Sequence, residues 1–310
     1  MQSKFFRPSR KLRDAALKIP PGGGPAKNRR RLHGRGKELV AVGDLHGELD
    51  GFLEILLHAG LIDNRAKWKG GNKTLVQMGD VIDRGPHSIH LVNLLARLQR
   101  QAELKGGKVV RLAGNHELEL LRGNTYLTTL SPEQVEQYRR QLACDILEGK
   151  TLSAYSQQGY LFTHAGLTGE LVAMLSNGQP DEAALADMIN KIMVESVMRN
   201  DYGHPIFNVG ALRGGRHRFG GIFWEDVRAL FCSEGAGAIR QVIGHTPLKR
   251  IAQSENGRLV AIDVGIFNGA GGGRSYITIK RGKVTPVEIR PVREILPALH
   301  IPPPPRPPEL

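Results

Sequence analysis

A chain of 310 residues, 40% hydrophobic and 24% charged, is long enough to bury one sizeable core and too mixed in composition for a fibrous or wholly disordered polymer. Its longest apolar runs, such as "LVNLLARL", fall far short of the ~20 residues a membrane span needs, and no secretory run opens it, so a soluble cytoplasmic protein is expected. The net charge of +13 suggests nucleic acid until it is divided along the chain: residues 1–37 carry twelve basic residues against Asp14, residues 281–310 carry five against three acids, and residues 38–280 are therefore neutral.

The basic arm, 1–37, contains "PPGGGP" and "KNRRRLHGRGK" and has too little apolar surface to fold. It reads as a solvated tail, with a nucleic-acid or acidic-partner contact, or an organellar address, as its functional alternatives. Residues 38–290 then read as one catalytic domain. In order, "KELVAVGD", "KTLVQMGD", "GKVVRLAGN", "GYLFTHAG", "RQVIGHTP" and "RLVAIDVG" are short, apolar, β-branched runs that suit buried strands. Helical spacing fills the intervals in "ELDGFLEILLHAGLI", "SIHLVNLLARLQRQAEL", "SPEQVEQYRRQLACDILEG" and "DEAALADMINKIMVESVMR", with Ser131-Pro132-Glu133 a good helix start. Strands alternating with helices imply an α/β fold. "GALRGGRHRFGG" reads as a long loop, and residues 291–310, ending "IPPPPRPPEL", as an extended proline-rich tail. Cys144 and Cys232 are too few for a disulfide scaffold and are expected to be reduced.

Each strand run ends in glycine and a polar residue: Asp44 and His46 in "GDLHG", Asp80 and Asp83 in "GDVIDRG", Asn115 and His116 in "GNHE", His164 in "THAG", His245 in "GHTP". Singly, such residues are ordinarily caps or turn residues. Strand ends in an α/β fold converge on one edge, however, so separate corners can build one site. Asp44, His46, Asp80, Asn115, His164 and His245 offer the mixed oxygen and nitrogen donors that manganese, iron or zinc accept. Two divalent ions against two aspartates would leave an excess of about +2 for a phosphate. Asp80, on the middle strand, is the expected bridge. Glu117 is expected to serve the helix start, Asp263 to support a ligating histidine, and Trp224 to pack.

The five motifs, in this order over about residues 38–280, resemble the signature of the PPP family of metallophosphatases. That resemblance implies the calcineurin-like metallophosphoesterase fold, a four-layer α/β/β/α sandwich with a dimetal site at the carboxyl ends of its strands. It implies two divalent metal ions, manganese first and iron or zinc as alternatives, with Asp44, His46 and Asp80 holding one and Asp80, Asn115, His164 and His245 the other. It further implies a metal-bridging hydroxide as nucleophile, His116 as general acid, Asp83 orienting it, and Arg84 binding the substrate phosphate. Ala113 before "GNHE" and the segment "IDVGIFNGAGGG" depart from the eukaryotic pattern and resemble the bacterial-type, Shewanella-like branch. A second phosphate-binding arginine is left open among Arg213, Arg216 and Arg228. The expected function is a phosphomonoesterase acting on phosphoserine, phosphothreonine or phosphotyrosine in a protein or peptide. A dinucleoside polyphosphate hydrolase of the diadenosine tetraphosphate type is the enzymatic alternative, and a catalytically silent nucleic-acid-binding or scaffold protein the alternative of another class.

Overall fold

The computed structural model describes residues 37–176, 179–232, 239–267 and 272–289. The arm up to residue 36 and the tail from 291 lie outside these residues.

Two sheets carry the architecture. In the first, β1 (Leu39–Val42), β2 (Thr74–Gln77), β3 (Lys108–Leu112) and β4 (Thr151–Leu152) run parallel, and a hairpin of β10 (Ser275–Lys280) and β11 (Lys283–Glu288) adds antiparallel to β1. The second has the order β5-β6-β7-β9-β8, from Ala154–Gln157, Tyr160–Thr163, Gln241–Ile243, Leu259–Ala261 and Ala252–Gln253. Its middle pairs, β6 with β7 and β7 with β9, are parallel.

Alternation of side chains along a strand explains the layering. Leu39 and Ala41 of β1 join Val76 of β2 and Val110 and Leu112 of β3 in a buried cluster with Tyr160, Phe162, Val242 and Val260 of the second sheet. Their neighbours Val40, Val42, Leu75 and Val109 face the other way and pack with α1 (Leu49–His58) and α2 (Ser88–Glu103), through Phe52, Leu56, Leu91 and Leu95. Helix α6 (Glu182–Arg199) covers β5 and β6 on the second sheet's outer side. Helices therefore flank two sheets packed face to face, in agreement with the expected sandwich. Each fully buried Leu or Val in these layers contributes about 1.5–3 kcal/mol.

Helix α3 (Asn115–Arg122) starts directly at the end of β3, and Gly123 closes it with φ of 85°. Helix α4 (Pro132–Leu147) begins where its sequence indicates: Gln134 N–H donates to Ser131 Oγ at 3.3 Å, and Gln134 Oε1 accepts the Ser131 N–H at 3.0 Å. Short helices α5 (Gly169–Ser176) and α7 (Val227–Cys232) complete the set among the described residues. Cys144 and Cys232 are free thiols, as expected.

Several elements escaped the sequence reading. The β10–β11 hairpin was one, although its turn residues Arg281 and Gly282 both have positive φ, 54° and 75°, as a tight two-residue hairpin turn requires. Strands β4 and β8, each of two residues, are too short to show a period.

Candidate functional site

Every motif residue sits just past a strand on one edge of the two sheets. Asp44 and His46 follow β1, Asp80 follows β2, Asn115 and His116 open α3 after β3, His164 follows β6 and His245 follows β7. All are at most 9% exposed. Backbone bonds lock the corners together: the Asp80 carbonyl accepts the Leu45 and His46 N–H groups at 3.0 and 2.8 Å, and the His164 carbonyl accepts Gly244 N–H at 2.7 Å.

Local geometry is strained where the donors converge. Of the nine non-glycine residues with positive φ among the described residues, five are His46, Asp80, Asp83, Arg84 and His245, a conformation worth about 1–3 kcal/mol of strain each unless the surroundings enforce it. The glycines at these corners supply room: a Cβ on Gly114 would collide with Asp80 Oδ1 and one on Gly244 with Asp44 Oδ1.

Two groups of donor atoms form, each with its atoms within 4.8 Å of one another: His46, Asp80 and His116, and Asp80, His164 and His245. Asp80 is common to both, with Oδ2 3.5 Å from Nε2 of His46 and of His164. Asn115 joins the second group, its Oδ1 3.0 Å from His164 Nε2. The first group contains His116 where the sequence reading had Asp44. Asp44 lies nearer the other side, accepting the His245 N–H at 3.1 and 3.2 Å on its two oxygens.

This donor set fits cations. His164 Nδ1 is 2.9 Å from the Met78 carbonyl and His46 Nδ1 is 3.1 Å from the Ile82 carbonyl; a carbonyl only accepts, so Nδ1 carries the proton in each ring. The free Nε2 lone pair of His164 then confronts Asn115 Oδ1 at 3.0 Å, an oxygen that cannot donate to it, with His245 Nδ1 3.1 Å away. Lone pairs facing one another repel unless a cation lies between them. Metal-ligating histidines commonly donate their other N–H to a carbonyl in this way.

Charge points the same way. Burial, reinforced by Asp263 and Asp80, pushes the Asp44 carboxyl well above the usual range. Burial also disfavours the Asp80 carboxylate, but the positive charge that His164, His116 and His46 take up on acidification outweighs burial and holds the group low. Burial lowers His46 to about 4 and depresses His164 and His245, which keeps all three rings neutral and able to ligate. His116 moves the other way: burial opposes its charge, yet Asp80 and Asp83 raise its pKa.

His116 and Asp83, which the family resemblance pairs, lie together, with Nδ1 2.6 Å from Asp83 Oδ2. Sequence gave no sign of what holds Asp83. Thr128 Oγ1 and Thr129 N–H donate to Asp83 Oδ1 at 2.7 and 3.2 Å, from the loop after α3. Glu117 does more than start its helix. Its carboxylate accepts N–H bonds from Gly114 and Asp80 at 2.8 Å, Val81 at 3.0 Å and Ile82 at 3.3 Å, binding the β2 and β3 corners together. Burial and Asp80 raise its pKa to about 7. Asp263 is buried near Asp44, but its hydrogen bond goes to Gly265 N–H at 2.9 Å rather than to a histidine. Trp224 lies edge-on to His245, with ring centroids 5.8 Å apart.

Of the three candidate arginines, Arg213 is the one tied to a site corner: it donates to Thr246 Oγ1, beside His245, and pairs with Asp226 at 3.1 Å. Arg228 pairs with Asp226 at 2.8 Å and is exposed, as are Arg216 and Arg84.

Face-to-face sheets with a donor cluster on their carboxyl edge define the class of metallophosphoesterase domains. The family model of the calcineurin-like phosphoesterases matches residues 38–269, and the chain belongs to that family. It is 42% identical over 101 residues to Shewanella-like protein phosphatase 2 of Arabidopsis thaliana, over 32% of this chain and 26% of that protein. Over 101 residues it is 38% identical to Shewanella-like protein phosphatase 1 of Plasmodium berghei, covering 33% of this chain and 27% of the relative. The alignments thus span about a quarter of the length of these curated relatives. Among solved structures, the cold-active protein-tyrosine phosphatase of a psychrophilic Shewanella superposes with a TM-score of 0.60 at 21% identity, over 81% of this chain and 80% of that one; this likeness concerns the fold. No helix among the described residues is long and apolar enough to cross a membrane.

Proposed function

We propose that the chain is a two-metal phosphomonoesterase acting on phosphoprotein. The observation that carries this reading is the convergence of Asp44, His46, Asp80, Asn115, His164 and His245 on one edge, with the lone pairs of His164 Nε2 and Asn115 Oδ1 facing each other. Asp80, common to both donor groups, is the residue that would be shared by two ions. Bound divalent ions there would supply Lewis acidity toward phosphate oxygens and an activated water.

The chain's own residues have separate parts in this reading. Arg84, exposed beside the cluster, and Arg213, held by Thr246 and Asp226, would grip phosphate oxygens with their planar forks. His116 keeps its Nδ1 proton on Asp83 and offers Nε2 to the leaving oxygen, delivering a proton as the P–O bond breaks. Asp83, pinned by Thr128 and Thr129, fixes that ring. The names of the Arabidopsis and Plasmodium relatives favour a phosphoprotein as substrate.

Hydrolysis of p-nitrophenyl phosphate, phosphoserine, phosphothreonine and phosphotyrosine peptides, and diadenosine tetraphosphate by manganese-loaded protein tests the reading. Peptide turnover that disappears in Asp80→Asn is the expected result. Equal activity of wild type and Asp80→Asn on every phosphomonoester would end it, and selective dinucleotide turnover would replace it with the alternative hydrolase.

A further inference from the structure

The site's rim carries a charge pattern that the neutral total of residues 38–280 conceals. Residues 208–223 contain three arginines, one histidine and no acid. The segment folds back on itself: Ala211 N–H donates to the His217 carbonyl at 2.7 Å, Gly215 N–H to the Gly210 carbonyl at 3.0 Å, and Gly210 bridges His217. This turn is fixed to the site at two corners, through Arg213 to Thr246 and through Ala165 N–H, next to His164, donating to the Ile222 carbonyl at 2.7 Å. Arg216 and Arg218 on the same turn are exposed, Arg218 stacking over Phe219 at 4.9 Å. Arg84 is exposed on the β2 corner, and Lys249 is exposed four residues beyond His245.

Among the described residues, no acid pairs with Arg84, Arg216, Arg218 or Lys249. Glu225 and Asp226, which follow the turn, are buried, and Asp226 is occupied by Arg213 and Arg228. The loop that holds Asp83, residues 123–130, contains no charged residue. Fixed positive charges around a reacting centre raise the local concentration of anionic partners and favour those with extra negative charge beside the reacting group.

We infer that the turn bearing Arg216 and Arg218 is a specificity surface for acidic sequence flanking the phosphorylated residue, so that the preferred substrates are phosphopeptides rich in Asp and Glu. This rests on the phosphatase reading above. A peptide fits better than a polyphosphate because the cations are distributed over three separate corners, those of Arg84, Arg216 with Arg218, and Lys249, rather than gathered at one point.

The test uses the full chain, whose arm is the same in all variants. Steady-state kinetics would compare one phosphopeptide in three forms, with acidic, alanine or lysine flanks, for wild type and for Arg216→Glu/Arg218→Glu. The expected result is a preference for acidic over alanine flanks of about tenfold in kcat/KM, carried by KM and weakened by salt, as two rim charges allow. The double variant should lose that preference while turning over p-nitrophenyl phosphate as wild type does. Equal kcat/KM for acidic and alanine flanks, or a preference unchanged in the double variant, overturns the inference, as does a double variant impaired only on diadenosine tetraphosphate. Failure of the phosphatase reading shows separately, as absence of p-nitrophenyl phosphate turnover in wild type. Fluorescence anisotropy of the labelled peptides then still decides whether the double variant has lost tighter binding of the acidic form.

Discussion

The two sheets contribute unlike halves of the site. The half from β1, β2 and β3 is braced by its own side chains: Glu117 gathers four N–H groups from two corners, and Asp83 fixes His116 while Thr128 and Thr129 fix Asp83. The half from β6 and β7 has little such bracing. His164 leans on a carbonyl of the other sheet, and His245 Nε2 and Trp224 Nε1 are buried without a hydrogen-bond partner among the described residues. An unmatched buried polar atom costs about 1–3 kcal/mol. The first half is thus held by hydrogen bonds among its own side chains, whereas the second presents buried polar atoms that a ligand can engage.

Removing the shared residue strains that comparison most. Asp80→Asn should lose at least about 10²-fold in kcat, beyond the range typical of residues that only support a ligand. Saturating manganese should raise Tm in wild type and much less in this variant; an equal rise in both would mean that Asp80 is not the shared residue.

His116→Asn comes next, with a fall of about 10²–10⁴-fold in kcat on phosphoserine peptide. The loss should be smaller on p-nitrophenyl phosphate, whose leaving group departs without a proton. A loss of equal size on both substrates would assign His116 to binding instead of acid catalysis.

Glu117→Ala tests the bracing itself. It strands four N–H groups in a buried corner and should destabilise the fold by about 3–5 kcal/mol, lowering Tm by several degrees. Trp224→Phe, which removes an N–H that has no partner, should change Tm little. If the two substitutions prove equally harmful, the contrast between the halves is wrong.

The smallest effect concerns the turn beside the second half. Burial opposes ionisation of Asp226, yet Arg228 and Arg213 hold its carboxyl below the ordinary value. Its folded pKa is thus lower than its unfolded one, so its contribution is complete above the unfolded value, about 3.9, and is lost as pH falls through the folded one. Wild type should therefore lose stability on acidification below about pH 4 more steeply than Asp226→Asn, as read from urea midpoints.

The legible part of the fold and site was the local part. Gly-polar corners after apolar runs showed where β1, β2, β3, β6 and β7 end, and the capping residues of α4 marked its start, because strand burial and helix capping are decided within a few residues. The pairing of His116 with Asp83 was also readable, though only by resemblance. Thr128 gave no signal, since an uncharged loop threonine looks like any other turn residue until folding brings it 2.7 Å from Asp83.

By itself, the sequence determined the donor types, their order and the strands that present them. Folding alone shows that Asp44 turns toward His245, that Arg213 rather than Arg216 or Arg228 reaches a site corner, and that a neutral body gathers arginines on the rim of its site. The reason is physical. Local sequence sets backbone conformation and burial, but contact between residues 44 and 245, or 213 and 246, exists only after two sheets have closed on a common core.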